Sequence, residues 1–104
     1  MILLIDENGT VEVIDNVEGE PTLRQLYRWI DADMIEVPRD GFQVNGEEIQ
    51  FIVDEEGKIK RKGINRSATT LYDSVLRSDP RGLQPGMDTL VGKVVVLTGK
   101  HLLT

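Results

Sequence analysis

Apolar positions fall along the chain in short blocks whose spacing separates strands from helices. Ile2 to Ile5 is a continuous apolar run, and Thr10 to Ile14 alternates, with Val11 and Val13 on one side and Glu12 and Ile14 on the other. Asp6-Glu7-Asn8-Gly9 lies between them, and an Asn-Gly turn flanked by two such runs predicts a β-hairpin. An acidic loop follows from Asp15 to Glu20. Pro21 then stands where a helix can open, because its missing N–H costs nothing at the first helical position. Leu23, Leu26, Tyr27 and Ile30 recur at helical spacing as one stripe, with Arg24, Gln25 and Arg28 opposite and Trp29 at the edge as a packing residue.

Met34 to Val37 reads as a strand that Pro38 ends, Asp40-Gly41 as a turn, and Phe42 to Val44 as a short extended piece closing at Asn45-Gly46. Ile49 to Val53 is the most β-rich run and is expected at the centre of a sheet. A turn at Asp54-Glu55-Glu56-Gly57 predicts a second hairpin between that run and Lys58-Ile59-Lys60. Asn65 suits the N-cap of a second helix striped by Ala68, Leu71, Tyr72, Val75 and Leu76, which stops near Ser78 because Pro80 and Gly82 follow. Leu83 to Met87 reads as a loop and Leu90 to Thr98 as the last strand, with Gly92 marking a bulge or a close backbone approach. His101 to Thr104 reads as a loosely held tail. These elements predict one α+β domain spanning residues 1–104: a mostly antiparallel sheet of about five strands with two helices packed on one face.

Composition narrows the chemistry. With 104 residues, 39% hydrophobic and 29% charged, the chain fits a single globular domain. Ordering it costs on the order of 100–200 kcal/mol of conformational entropy, so its small core is marginal and a homo-oligomer is expected. There is no cysteine, hence no disulfide, thiolate metal site or thiol nucleophile. The one histidine, His101, is too near the end to anchor a Ser-His-Asp arrangement or a metal site, and no Gly-rich phosphate loop is present. The reading is therefore a binding protein rather than an enzyme, with no catalytic residues, metal or cofactor. The apolar start is too short for a signal peptide or a membrane span, which implies a cytoplasmic protein without membrane contact.

Charge is divided unevenly. Residues 1–57 hold 15 acids and 3 bases, whereas residues 58–104 hold 3 acids and 9 bases. Either the halves interleave and offset each other, or one cleft is locally basic on an acidic protein. Lys58, Lys60, Arg61, Lys62 and Arg66 occur within nine residues that contain no acid, and they lead into the second helix. A helix start presents unpaired N–H groups and partial positive charge, so Lys60, Lys62, Asn65, Arg66, Ser67 and Thr69 are candidate residues for a small anionic, nucleotide-like ligand. Asp88 is placed to orient Arg66 or Asn65, and Tyr27, Trp29 and Tyr72 are candidate platforms for a base. The plainer reading is a lysine-rich strand edge followed by a capped helix. Duplex nucleic acid is not a predicted partner, since the rest of the chain is too acidic.

The segments NRSATTLY at 65–72 and DTLVGKVVVLTG at 88–99, with DEEGK at 54–58, resemble a small domain family of unknown function found in bacteriophages and actinobacterial mobile elements. Asn65, Ala68, Thr69, Asp88, Leu90, Val91 and Gly92 match its Asn-x-x-Ala-Thr helix start and Asp-x-Leu-Val-Gly strand in order, while 37–48 is individual to this chain. The resemblance implies a phage-type setting within a bacterium. It suggests an anti-defence protein that sequesters a nucleotide-like ligand as an oligomer. The alternatives are an acidic inhibitor of a host protein that mimics the charge of DNA, and a ligand-free accessory domain.

Overall fold

A three-residue turn sets the register of the first two strands, β1 (Ile2–Ile5) and β2 (Val11–Ile14). Asp6 N–H donates to Thr10 C=O at 2.9 Å and Gly9 N–H to Asp6 C=O at 3.0 Å, with Gly9 at φ +91°, a value that few residues other than glycine accept. The structure, a computed structural model, describes residues 1–39, 42–86 and 88–104. The remaining elements are α1 (Leu23–Ile30), β3 (Ile35–Glu36), β4 (Phe42–Val44), β5 (Glu47–Asp54), α2 (Arg66–Ser78), β6 (Val94–Thr98) and a 3-10 turn at Gly99–His101. The turn expected at Asp40-Gly41 lies outside the described residues, as does Met87 at the end of the expected loop.

The six strands among the described residues join one antiparallel sheet in the order β2-β1-β6-β5-β3, with β4 also paired to β5, so the chain is α+β as its pattern predicts. The helices, however, do not share a face. Ala68, Tyr72, Val75 and Leu76 of α2 pack on Ile5, Phe51, Val53, Val94 and Val96. Leu26 and Ile30 of α1 pack on Ile2, Ile52, Val95 and Leu97, the alternate residues of the same strands. The reason is β6, whose five residues are all buried. A strand that is apolar on both faces needs a layer on each.

Other expectations shift by local chemistry. Thr22, not Pro21, starts α1: its hydroxyl accepts from Gln25 N–H at 3.1 Å while Gln25 Oε1 accepts from Thr22 N–H at 2.9 Å, a reciprocal capping box. The second hairpin does not form. Residues 55–61 are a run of turns, with Lys60 N–H donating to Glu56 C=O and Lys62 N–H to Gly57 C=O at 2.9 Å each. Both edges of β5 are already taken by β6 and by β3 and β4, so no edge is left for Lys58–Lys60. The last strand begins at Val94 rather than Leu90, because Gly92 turns the chain at φ +73° against the Lys62 stem. The tail is held: Gln50 exchanges two hydrogen bonds with Leu103 at 2.7 and 3.0 Å, and buried His101 Nδ1 sits 2.7 Å from Gly19 C=O.

Asn65 ties these layers together. It caps α2 as predicted, accepting from Ala68 N–H at 3.0 Å, but its amide also donates to Ile5 C=O at 2.9 Å and Gly92 C=O at 2.8 Å. Its own N–H donates to Leu90 C=O at 2.9 Å, and the side chain is fully buried. Asn65→Ala removes a cap worth about 1 kcal/mol and strands two buried carbonyls at about 1–3 kcal/mol each. A loss of about 3–7 kcal/mol in urea unfolding is expected. Asn65→Asp, which keeps the capping oxygen, should recover little of it.

Candidate functional site

The six residues predicted to hold an anion are distributed very differently in space from the way the sequence suggests. Asn65 has every side-chain hydrogen-bonding group committed inside the protein, as described above. Thr69 is committed as well: its hydroxyl accepts from Leu90 N–H at 3.0 Å and reaches Leu90 C=O at 3.4 Å. Those two bonds lock the loop before β6 onto the first turn of α2.

Lys62 folds inward. Its ammonium lies 2.7 Å from the Asp54 carboxylate and donates to the carbonyls of Ile30 at 3.0 Å and Asp31 at 2.8 Å. It therefore closes the C-terminal end of α1, where unpaired carbonyls and the helix dipole favour a cation. Lys60 lies 3.2 Å from the same Asp54 oxygen and 3.7 Å from Asp33. Burial works against the charge on Asp54, but Lys62, the Glu56 N–H and Lys60 outweigh it and hold the carboxyl below its ordinary pKa. Lys60 is raised in turn, chiefly by its bond to Asp54.

Asp88 pairs with Lys58 at 3.0 Å rather than with Arg66 or Asn65. Lys93 pairs with Asp31 at 3.1 Å. Of the bases in residues 58–104, Lys60, Lys62 and Lys93 pair with acids of residues 1–57, whereas Lys58 and Arg81 pair with Asp88 and Asp79 of their own half. Of the six candidates only Arg66 and Ser67 are exposed with no partner among the described residues. Ser67 lies over the β1–β2 turn, its hydroxyl within 3.4 Å of where a side chain on Gly9 would begin. Of the three aromatic platforms, Tyr72 is buried and Tyr27 and Trp29 are half-buried, Trp29 packing on the α1-side core.

The start of the chain is its most one-sided stretch of charge. Residues 1–20 contain six acids and no base. Asp6, Glu7, Glu12, Asp15 and Glu18 form no ion pair with any described residue. Glu12 lies on β2 and Asp15 and Glu18 follow it, whereas Glu7 reaches towards Gly63, and Asp6 and Glu7 both act on the charge of Lys93. Among the described strands β2 ends the sheet and pairs with β1 alone. Because Asp6 and Thr10 form a hydrogen-bonded pair, the alternation continues through Leu4–Glu12 and Ile2–Ile14, which turns the N–H and C=O of Val11 and Val13 outward. The side chains of those valines share the α2 face with Ile5 and Leu3, yet remain 52% and 59% exposed. The sequence shows these valines only as part of a hairpin. Their exposure follows from α2 reaching no further than β1.

Among the described residues no cluster of His, Cys, Asp or Glu is placed to hold a metal ion, and no helix is long and apolar enough to cross a membrane. No protein-family model, curated protein or solved structure matches the chain. Function is therefore argued from this geometry alone.

Asp54 supplies a pH test. A carboxyl whose pKa is lowered by folding contributes stability that is complete above its ordinary value of 3.8 and is lost as pH falls below it. Asp54→Asn should be markedly less stable than the natural protein at pH 7. The gap between their urea midpoints should shrink as pH drops through the range below 3.8. A gap that stays constant with pH would mean that Asp54 carries no such linkage.

Proposed function

We propose that this domain is a non-enzymatic docking protein that takes an extended, basic segment of another protein onto the open edge of β2. One observation carries the reading: a strand edge with outward backbone groups and two exposed valines bears Glu12 and runs into Asp15 and Glu18, acids that form no ion pair with any described residue. An added strand would form hydrogen bonds to both outward N–H groups and both outward C=O groups of Val11 and Val13. Its apolar residues would cover Val11 and Val13 on the α2 face, and its lysines or arginines would meet Glu12 on the other. A second copy of this chain suits the edge less well, since pairing two β2 edges brings Glu12 and Asp15 towards their own copies. This is the acidic-inhibitor alternative with its surface specified, and the charge that would imitate DNA lies on the β1–β2 hairpin.

Sequestration of a small anion ranks second. It retains Arg66 and Ser67, exposed beside the unpaired N–H groups at the start of α2, but Lys60, Lys62, Asn65 and Thr69 serve the scaffold instead.

Titration calorimetry with a synthetic peptide of alternating valine and lysine tests the docking reading. Binding should weaken steeply between low and high salt, because exposed charges interact over roughly 10 Å at 0.1 M. Val13→Pro deletes an outward N–H without touching the β1 ladder and should abolish binding, while Glu12→Lys should weaken it about tenfold. Equal binding of Val13→Pro, or of a scrambled peptide of the same charge, would count against strand addition.

A further inference from the structure

On the far side of the sheet from β2, a cavity of about 310 Å³ opens between the end of β3 and α2, bordered by Glu36, Arg39, Tyr72, Leu76, Gln84 and Asp88. Its size lies at the small end of the range for ligand pockets. Tyr72 forms its inner wall. The ring is buried to 1% exposure and packs edge-on against Phe42 and Phe51, with centroids 5.4 and 5.1 Å away. The hydroxyl nevertheless bonds to no described residue, and no side-chain polar atom is sealed away without a partner, so this hydroxyl meets the cavity. A buried tyrosine ordinarily finds a partner for its O–H. Burial raises the pKa of the phenol; Asp88 adds to that effect and Arg39 opposes it, which sets both charges near the hydroxyl.

Two of the charged side chains at the rim are exposed, unpaired among the described residues and opposite in sign. Glu36 and Arg39 border the same cavity, yet among the described residues neither forms an ion pair with the other or with a third group. Asp88 has one oxygen engaged by Lys58 at 3.0 Å and the other oxygen uncommitted. A ligand of one charge would leave the opposite rim charge unmatched. A ligand carrying both charges on neighbouring atoms satisfies the whole set.

We infer that this cavity binds a free amino acid, with its ammonium against Glu36 and Asp88, its carboxylate against Arg39, and the Tyr72 hydroxyl hydrogen-bonded to it. The site is independent of the β2 edge and does not rest on the docking proposal.

The test is calorimetric titration of the full chain with a panel of L-amino acids, alongside the matching amines and N-acetyl derivatives. At least one amino acid should bind with a Kd on the order of 1 mM or tighter. Its amine and its N-acetyl derivative should each bind about tenfold or more weakly, because each lacks one charge-assisted pair. Glu36→Gln and Arg39→Gln should cost about the same. Tyr72→Phe keeps the ring packing and should weaken binding several-fold while leaving the unfolding midpoint near that of the natural chain. Val13→Pro should bind the amino acid normally. The inference is overturned if no amino acid of the panel binds, if the amine binds as tightly as its amino acid, or if Tyr72→Phe, Glu36→Gln and Arg39→Gln all bind like the natural protein.

Discussion

The fold depends on one buried amide. Asn65 joins β1, the loop that enters β6 and the first turn of α2 through hydrogen bonds to Ile5, Gly92, Leu90 and Ala68. Three of these bonds come from the side chain, to Ile5 C=O, Gly92 C=O and Ala68 N–H, and a buried carbonyl or N–H left unpaired costs more than an ordinary hydrogen bond contributes. An aliphatic residue of the same size would fill the space but keep only the backbone bond to Leu90. Thr69, one helical turn later, repeats the arrangement by bridging both backbone groups of Leu90. The Asn-x-x-x-Thr spacing of this helix is thus a device for holding a strand entry against a helix start.

That device constrains where binding can occur. A helix start whose cap is fully engaged and a lysine that closes another helix cannot also receive a ligand without dismantling the scaffold. Lys62 spends its charge on Asp54 and on the carbonyls of α1, and Lys58, Lys60 and Lys93 engage further acids. The net charge of −6 is therefore not spread evenly: compensation is concentrated where residues 54–62 and α1 meet, and the β1–β2 hairpin keeps its acids exposed. A strand edge with this field discourages pairing with its own copies while attracting a basic chain.

Much of the fold is legible in the sequence, for identifiable reasons. The Asn-Gly turn, the N-cap at Asn65 and the stop near Ser78 are local signals, and each is realised locally. Val94 to Leu97 also carries the evidence for two covered faces, since a strand with one open face alternates and this run does not. Reading two helical stripes as one layer overlooks that. The second hairpin fails because its turn signal is genuine but the strand it would extend has no vacant edge, a fact of topology rather than of sequence. The candidate site is the least legible part. A run of lysines reads alike whether it faces solvent or acids 6 to 30 positions away, and Lys60 with Asp54 and Lys58 with Asp88 span that range. Likewise, nothing local shows that Tyr72 keeps a vacant hydroxyl, because its surroundings come from β3 and the loop after α2.

Scaffold and working edge are distinguished most directly by an amide hydrogen-exchange map of the isolated protein. The account predicts that the amides of Asn65, Ala68, Thr69, Leu90 and Gly92 exchange only through global unfolding, while those of Val11 and Val13 exchange close to the rate of an unstructured chain. Protection of Val11 and Val13 equal to that of Asn65, or exchange of the Asn65 group by local opening, would contradict it.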